Sequence, residues 1–256
     1  SIEKIFKEKS GIFRAHKNAI INFSCDEALI KKCKDDTKAI ISKINADYYI
    51  EEENSKINFI GKKKSFLNLP LPGLNGKIQL QNLSGALRVV ELMSKNFPVT
   101  QNALEKGIEE TNITGRMQFI KKNPLIILDV AHNKESAESL NQFFKQQRLK
   151  GKVRCVFSLL KGKNTPDITN QFMDYVDEWY VSEIDSPRAS KADEIISELI
   201  KQRKDIVSYE FNTTQEAFSK AYKNSDVDDN IIAFGSFFIV SEILEDISIC
   251  QTQKIQ

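Results

Sequence analysis

Asp129, His132 and Asn133 lie close together, directly after the apolar run at 124–128 and a short way beyond Gly115 and Arg116. A carboxylate, an imidazole, an amide and a guanidinium are groups that can handle a polar, phosphorylated ligand. The guanidinium of Arg116 offers fixed, planar donors suited to phosphate oxygens. The plainer alternative for it is a surface salt bridge. The run at 124–128 has the length and flanks of a buried parallel strand. The polar groups behind it would then emerge at the strand's carboxyl end, where open α/β sheets bind ligands. Asn133 suits the cap of a following helix, whose free first-turn amides favour an anion. The alternative is that Asp129 and Asn133 only tie off a strand-to-helix turn.

These residues need elements to position them. Ala137, Leu140, Phe143 and Phe144 recur at three- and four-residue spacing, which predicts a helix over 134–146 with one apolar face on the sheet. Strands are expected at 125–130, 153–159, 178–182, 206–211 and 231–234. Helices are expected between them at 166–176, 191–202 and 214–223, with a last one at 237–246 after a tight turn at Gly235 and Ser236. Such alternation implies a mostly parallel sheet covered on both faces. Ahead of this region the pattern differs. A helix over 1–9, a strand at 18–23 and a helix over 26–36 precede short β-like runs between 40 and 73. Two helices follow, at 80–93 and 101–110. In the first, Leu83, Ala86, Leu87, Val90 and Met93 have the repeat of one helical face. The boundary between the two regions is placed near Asn112.

Taken with their neighbours, these segments resemble a known family. TGRMQ at 114–118 followed by LDVAHN at 128–133, EKSGIFR at 8–14, QLQN at 79–82 and GSF at 235–237 occur in one order. They resemble motifs of the bacterial folylpolyglutamate synthase and bifunctional dihydrofolate synthase family, in the Mur ligase superfamily. The corresponding family segments are EKAGIFR, the end of HQxxN, and a late GSF turn. The resemblance implies an α/β fold. Residues 1–111 would be the remainder of a Mur-ligase-type central ATPase domain, and 112–256 a Rossmann-like, mostly parallel carboxy-terminal domain. Relatives carry a glycine-rich phosphate loop before the position matching Ser1, whereas no G-x-x-x-x-G-K-[ST] occurs in this sequence. The chain therefore reads as the carboxy-terminal portion of a ligase, expected to be inactive by itself.

The implied chemistry is ATP-dependent joining of L-glutamate to dihydropteroate or a folate, with ATP and Mg2+. A carboxylate is a poor acyl donor, so it is first phosphorylated and the amine then displaces phosphate. Charge stabilisation and positioning must carry most of the catalysis. Nucleotide and acyl acceptor would meet in a cleft between two lobes. By the resemblance Arg116 faces phosphate, Asp129 accepts hydrogen bonds from the ribose, and His132 sits near the phosphates or the incoming amine. Asn82 matches the adenine-contacting asparagine. Lys9 matches a lysine that is carbamylated in the family so that it can help bind magnesium; an unmodified ammonium could not. Lys163, Arg188 and Ser236 match positions near the amino-acid site. Two departures stand out: Gly162, Lys163 and Asn164 replace an acidic DKD segment, and Ile78 replaces a histidine.

Composition narrows the field without deciding it. The chain has 256 residues, with 37 basic against 35 acidic. That balance implies no polyelectrolyte partner, so nucleic acid is not expected. Cys25, Cys33, Cys155 and Cys250 form no C-x-x-C pair, which argues against structural zinc and fits buried thiols in a reducing compartment. No apolar stretch approaches the roughly twenty residues that span a bilayer. A cytoplasmic monomer acting on small molecules is the expectation. Two alternatives remain beside the folate ligase: a muramyl-peptide ligase, against which EKSGIFR argues, and a non-catalytic nucleotide-binding fragment, which loss of the acidic pair favours. A dinucleotide oxidoreductase is disfavoured because no G-x-G-x-x-G follows a strand.

Overall fold

Short β-like runs with polar turns, followed by regular strand–helix alternation, fold as two compact units, Ser1–Asn112 and Ile113–Gln256. The structure, a computed structural model, describes residues 2–73, 77–146 and 149–252. The first unit runs α1 (Ile2–Ser10), β1 (Asn18–Ile21), α2 (Glu27–Thr37), β2 (Ile40–Lys43), β3 (Tyr48–Glu53), β4 (Lys56–Gly61), β5 (Phe66–Pro70), α3 (Lys77–Met93) and α4 (Gln101–Glu110). Strands β1 and β2 pair parallel, and β3-β4-β5 form an antiparallel sheet. Asp26 starts α2 by accepting the Ala28 amide at 2.6 Å, and Lys38, at φ 54°, ends it. Tyr48, Ile57, Phe59, Phe66 and Leu69 pack with Leu87 of α3 and with Leu104 and Ile108 of α4.

Helix α3 corrects one expectation. Ala86 and Met93 are exposed, and the buried stripe holds Ser84, Leu87, Arg88 and Glu91 instead. Burying charge is costly unless it is paired and hydrogen-bonded. Here Arg88 pairs with Glu91 and donates from Nη2 to Ser42 Oγ at 2.9 Å. Glu91 Oε1 accepts the backbone amides of Lys63 and Lys64 at 2.6 and 3.0 Å. Polar residues can therefore occupy a face that apolar spacing alone would not assign.

The second unit runs β6 (Gln118–Lys122), β7 (Leu125–Leu128), α5 (Lys134–Gln146), β8 (Val153–Phe157), α6 (Thr165–Thr169), a 3-10 turn (Asn170–Phe172), β9 (Glu178–Ser182), α7 (Ala192–Gln202), β10 (Val207–Phe211), α8 (Thr214–Lys223), β11 (Asn230–Phe234) and α9 (Phe237–Thr252). The sheet is six-stranded in the order β10-β9-β8-β11-β7-β6, parallel except where β6 meets β7. Every residue of β8, β9 and β11 is buried. Their side chains alternate between two cores. Cys155, Phe157, Trp179, Ile232 and Phe234 meet α5, α6 and α7, while Val156, Tyr180, Ile231 and Ala233 meet α8 and α9.

Two elements differ from the sequence reading. Strand β6, QFIKK, was not anticipated, because an edge strand with solvent on one side carries too little apolar signal. The single helix expected over 166–176 is instead a short α6 and one 3-10 turn. Its residues are poor helix formers, and Thr169 Oγ1 donates back to the Thr165 carbonyl at 2.9 Å.

At the amino ends of the central strands lies an ion network. Arg154 Nε donates to Glu178 Oε2 at 2.9 Å, and its Nη1 pairs with Asp229. Tyr180 Oη donates to Glu178 at 2.8 Å, and Asp229 accepts the amides of Lys152 and Asp226, each at 2.8 Å. Burial alone would raise both carboxyl pKa values. For Glu178 it is outweighed by hydrogen bonds from Lys152 and Tyr180 and by the Arg154 charge. For Asp229 the Asp226 amide, Arg154 and the Lys152 amide outweigh it. Both groups are held below the usual carboxylate range. Groups held low contribute stability above their unfolded pKa of about 4 and lose it as pH falls through the folded value. Arg154→Met should cost about 3–5 kcal/mol at neutral pH by leaving Asp229 without an ion-pair partner, while Glu178 keeps Lys152. Urea midpoints should then rise on acidification toward pH 5 in the variant, while the wild type holds steady and weakens only below about pH 4.

Candidate functional site

The carboxyl end of β7 is shaped by backbone constraints. Gly115 sits at φ 74°, where a Cβ would lie 2.7 Å from Val130 Cγ1, so only glycine fits. The Gly115 carbonyl accepts the Val130 amide at 2.8 Å, fastening the turn before β6 to the end of β7. Met117 follows at φ 44°, an unfavourable conformation for a side-chain-bearing residue. Asp129 holds it there: Oδ2 accepts the Met117 amide at 2.8 Å, and Oδ1 accepts the Ala131 amide at 2.7 Å. Asp129 is only 4% exposed. Burial pushes its carboxyl pKa up, against the lowering effect of those two amides and of nearby Arg116 and His132. Asp129 thus ties the turn, the plainer of its two sequence readings, and both of its oxygens serve backbone amides.

Beyond this tie the chain presents His132. Its Nδ1 lies 2.9 Å from the Val130 carbonyl, which fixes the ring orientation. Asn133 Oδ1 accepts the Ser136 amide at 2.9 Å and so caps α5. From β11 comes Gly235, at φ 126°, where a Cβ would stand 1.9 Å from the Ser158 carbonyl oxygen. Ser236 is buried, and its Oγ accepts the Ile239 amide at 3.2 Å as the cap of α9. Phe237 then projects, 58% exposed. Its ring centroid lies 6.0 Å from the guanidinium carbon of Arg116 and 6.0 Å from the His132 ring. Arg116 and His132 therefore flank one aromatic ring. Arg116 has no hydrogen-bond or ion-pair partner among the described residues.

Lys163 and Arg188 occupy the next loops along the same sheet edge, after β8 and β9. A bridge between Leu160 and Ala189 joins the loops, and the Lys161 amide donates to the Arg188 carbonyl at 2.7 Å. Lys163 borders a hollow of about 570 Å³ lined also by Lys161, Ser190, Asp193 and Glu198. Both candidate side chains are exposed. Asn164 caps α6 by accepting the Asp167 amide at 3.3 Å. In the first unit, Asn82 is exposed on α3 and donates to Gln79 at 3.1 Å, and Lys9 is exposed in the last turn of α1. Sequence reasoning singled out the GSF segment but not its phenylalanine as the link between Arg116 and His132. That role became visible only with the turn geometry.

Residues 115–237 match the family described as Mur ligase, glutamate ligase domain. The second unit is a Mur ligase glutamate-ligase domain. Nearly the whole chain is homologous to dihydrofolate synthase/folylpolyglutamate synthases. The Buchnera aphidicola (Baizongia pistaciae) protein of that name is 32% identical over 238 residues, covering 92% of this chain and 53% of the relative. The structure of Escherichia coli FolC in complex with DHPP and ADP superposes with a TM-score of 0.83 at 26% identity, over 98% of this chain and 58% of that one. A bifunctional folylpolyglutamate synthase/dihydrofolate synthase with Mn, AMPPNP and L-glutamate bound gives 0.81 at 25% identity, over 97% and 57%. The chain spans about half the length of the curated relatives it matches.

Within this glutamate-ligase domain, Asp129 is the residue whose loss should most disturb the turn. Asp129→Asn keeps the shape but replaces one acceptor with a donor, leaving the Met117 or the Ala131 amide facing a nitrogen. The expected cost is about 1–3 kcal/mol, read as a lower urea midpoint. An unchanged midpoint would mean that the carboxylate is not what holds Met117.

Proposed function

We propose that the protein carrying this chain is an ATP-dependent ligase joining L-glutamate to dihydropteroate or a (poly)glutamyl folate through an acyl phosphate. The observation that carries the reading is the pairing of an unpartnered guanidinium with an oriented imidazole at the carboxyl edge of a glutamate-ligase sheet. Relatives whose structures hold DHPP and ADP, or AMPPNP, Mn and L-glutamate, support it. Arg116 stabilises negative charge on the transferring phosphoryl group or its nucleotide. His132, held through Nδ1 at the Val130 carbonyl, orients the incoming amine through Nε2. Asp129 supports both residues by holding the turn, and the remaining lone pairs of its two oxygens accept hydrogen bonds from the ribose. Asn82 contacts adenine, and Lys163, Arg188 and Ser236 border the amino-acid side.

ATP is the phosphoryl donor, and a divalent ion supplies charge neutralisation when bound. Among the described residues no three His, Cys, Asp or Glu side chains come together as a metal site. Lys9, once carbamylated, is the residue of this chain that would help hold the ion. No described helix is long and apolar enough to cross a membrane. We place the protein in the cytoplasm as a monomer, acting on small molecules rather than nucleic acid.

The test is phosphate release by the protein at its natural length, with ATP, dihydropteroate and L-glutamate. Release should require glutamate, and its absence under these conditions refutes the reading. Arg116→Ala should lower kcat about 10²–10³-fold, the usual effect of removing one preorganised charge-stabilising donor, with an unchanged unfolding midpoint.

A further inference from the structure

Phe237 is an unusual residue for its position. It follows a turn with almost no freedom: Gly235 is pressed against the Ser158 carbonyl, and Ser236 is locked as the cap of α9. An aromatic ring that is 58% exposed gains little from burial. It lies 6.0 Å from the Arg116 guanidinium carbon and 6.0 Å from the His132 ring, the His132 contact tilted at 47°. A guanidinium over a ring face is held by the ring quadrupole, and Arg116 has no other partner among the described residues. The long arginine side chain would otherwise sample many rotamers, and fixing it in advance removes an entropic cost from each turnover. The backbone of Phe237 is fixed by β11 and α9, that of Arg116 by Gly115, and that of His132 by Val130. The segments of Arg116 and His132 are already tied through Gly115, Val130 and Asp129, and the ring brings the turn after β11 against both of their side chains.

The geometry points to Phe237 as a positioning residue that sets the Arg116 guanidinium and the His132 imidazole relative to each other for ligation. It rests on the proposed ligase reading for its consequence, but not for the contact itself. Neither Phe237→Leu nor Phe237→Ala should move the unfolding midpoint much. Both should lower kcat about tenfold, whereas Phe237→Tyr and Phe237→Trp, which keep a ring, should restore it. The double variant Arg116→Ala/Phe237→Leu should lose less than the two single losses combined, because part of the ring's effect passes through the guanidinium. Full activity of Phe237→Leu, or additive losses in the double variant, overturns the proposal.

A second readout does not depend on activity. This chain holds two histidines, His16 and His132, and the resonances lost in His132→Gln identify the His132 imidazole in the natural-length protein. Phe237→Leu should shift the His132 resonances by removing the ring current and leave His16 in place. Unmoved His132 resonances overturn the proposal even in an active enzyme. A shifted His132 in a protein without glutamate-dependent turnover upholds the contact while refuting the ligase reading.

Discussion

The second unit depends on the ion network of Arg154, Glu178 and Asp229 at the amino ends of β8, β9 and β11. A strand that is polar on one face has its register written into the alternation, because a one-residue slip would bury the wrong set. These three strands are buried throughout and, apart from Arg154, Glu178, Ser182 and Asn230, apolar toward both cores, so alternation marks their register only weakly. A guanidinium shared by two carboxylates from neighbouring strands fits one alignment, since any slip leaves buried charge unpaired. Such networks add little net stability over an apolar substitute, because desolvation offsets most of the attraction. We assign this network the alignment of the sheet more than its strength.

With one end aligned by charge, the other end is free to be shaped by backbone geometry. At the carboxyl edge the order β8-β11-β7 brings the turns after β7 and β11 side by side, and antiparallel β6 returns Gly115 and Arg116 to the same edge. The polar atoms closest to the backbone are then consumed in construction. Asp129 holds a left-handed Met117, Asn133 caps α5 and Ser236 caps α9. What remains for chemistry is a guanidinium, an imidazole and the ring between them. A half-buried cation with no hydrogen-bond or ion-pair partner among the described residues favours an anionic ligand, and the surrounding turns cannot easily relax to neutralise it.

Much of this arrangement was legible in the sequence because the second unit is strongly periodic. The apolar runs of β7, β8, β9 and β11 and the amphipathic α5, α7 and α8 each sit within a residue or two of where spacing put them. Edge strand β6 escaped notice because its exposed face carries Lys121 and Lys122. The buried face of α3 was misread because Arg88 and Glu91 are neutralised by each other and by distant backbone amides, a pairing that linear spacing does not contain. Asp129 exposes a deeper limit. Its residue type suits either a ligand contact or a turn, and linear spacing does not contain the two amides, Met117 and Ala131, that it accepts.

The loop after β8 shows how a departure from a family pattern can leave architecture intact while changing charge. Where the family carries DKD, this chain has Gly162, Lys163 and Asn164. Asn164 still supplies an oxygen to cap α6, so the second carboxylate was dispensable for starting that helix. Gly162 sits at φ 81° with open space around it, so the position demands backbone freedom rather than a particular side chain. Both replacements satisfy the loop's conformation, and Lys163 keeps its place beside Lys161 on the rim of the hollow. The carboxylates facing that hollow now come only from Asp193, Glu194 and Glu198 along α7, on a rigid helix instead of the loop. A polar ligand entering there would meet the ammonium groups of Lys161 and Lys163 on the loop and, along α7, three carboxylates with Lys201 among them. The charge balance of this edge is therefore set by the helix that follows β9, and the retained lysine is no longer flanked by acids in its own loop.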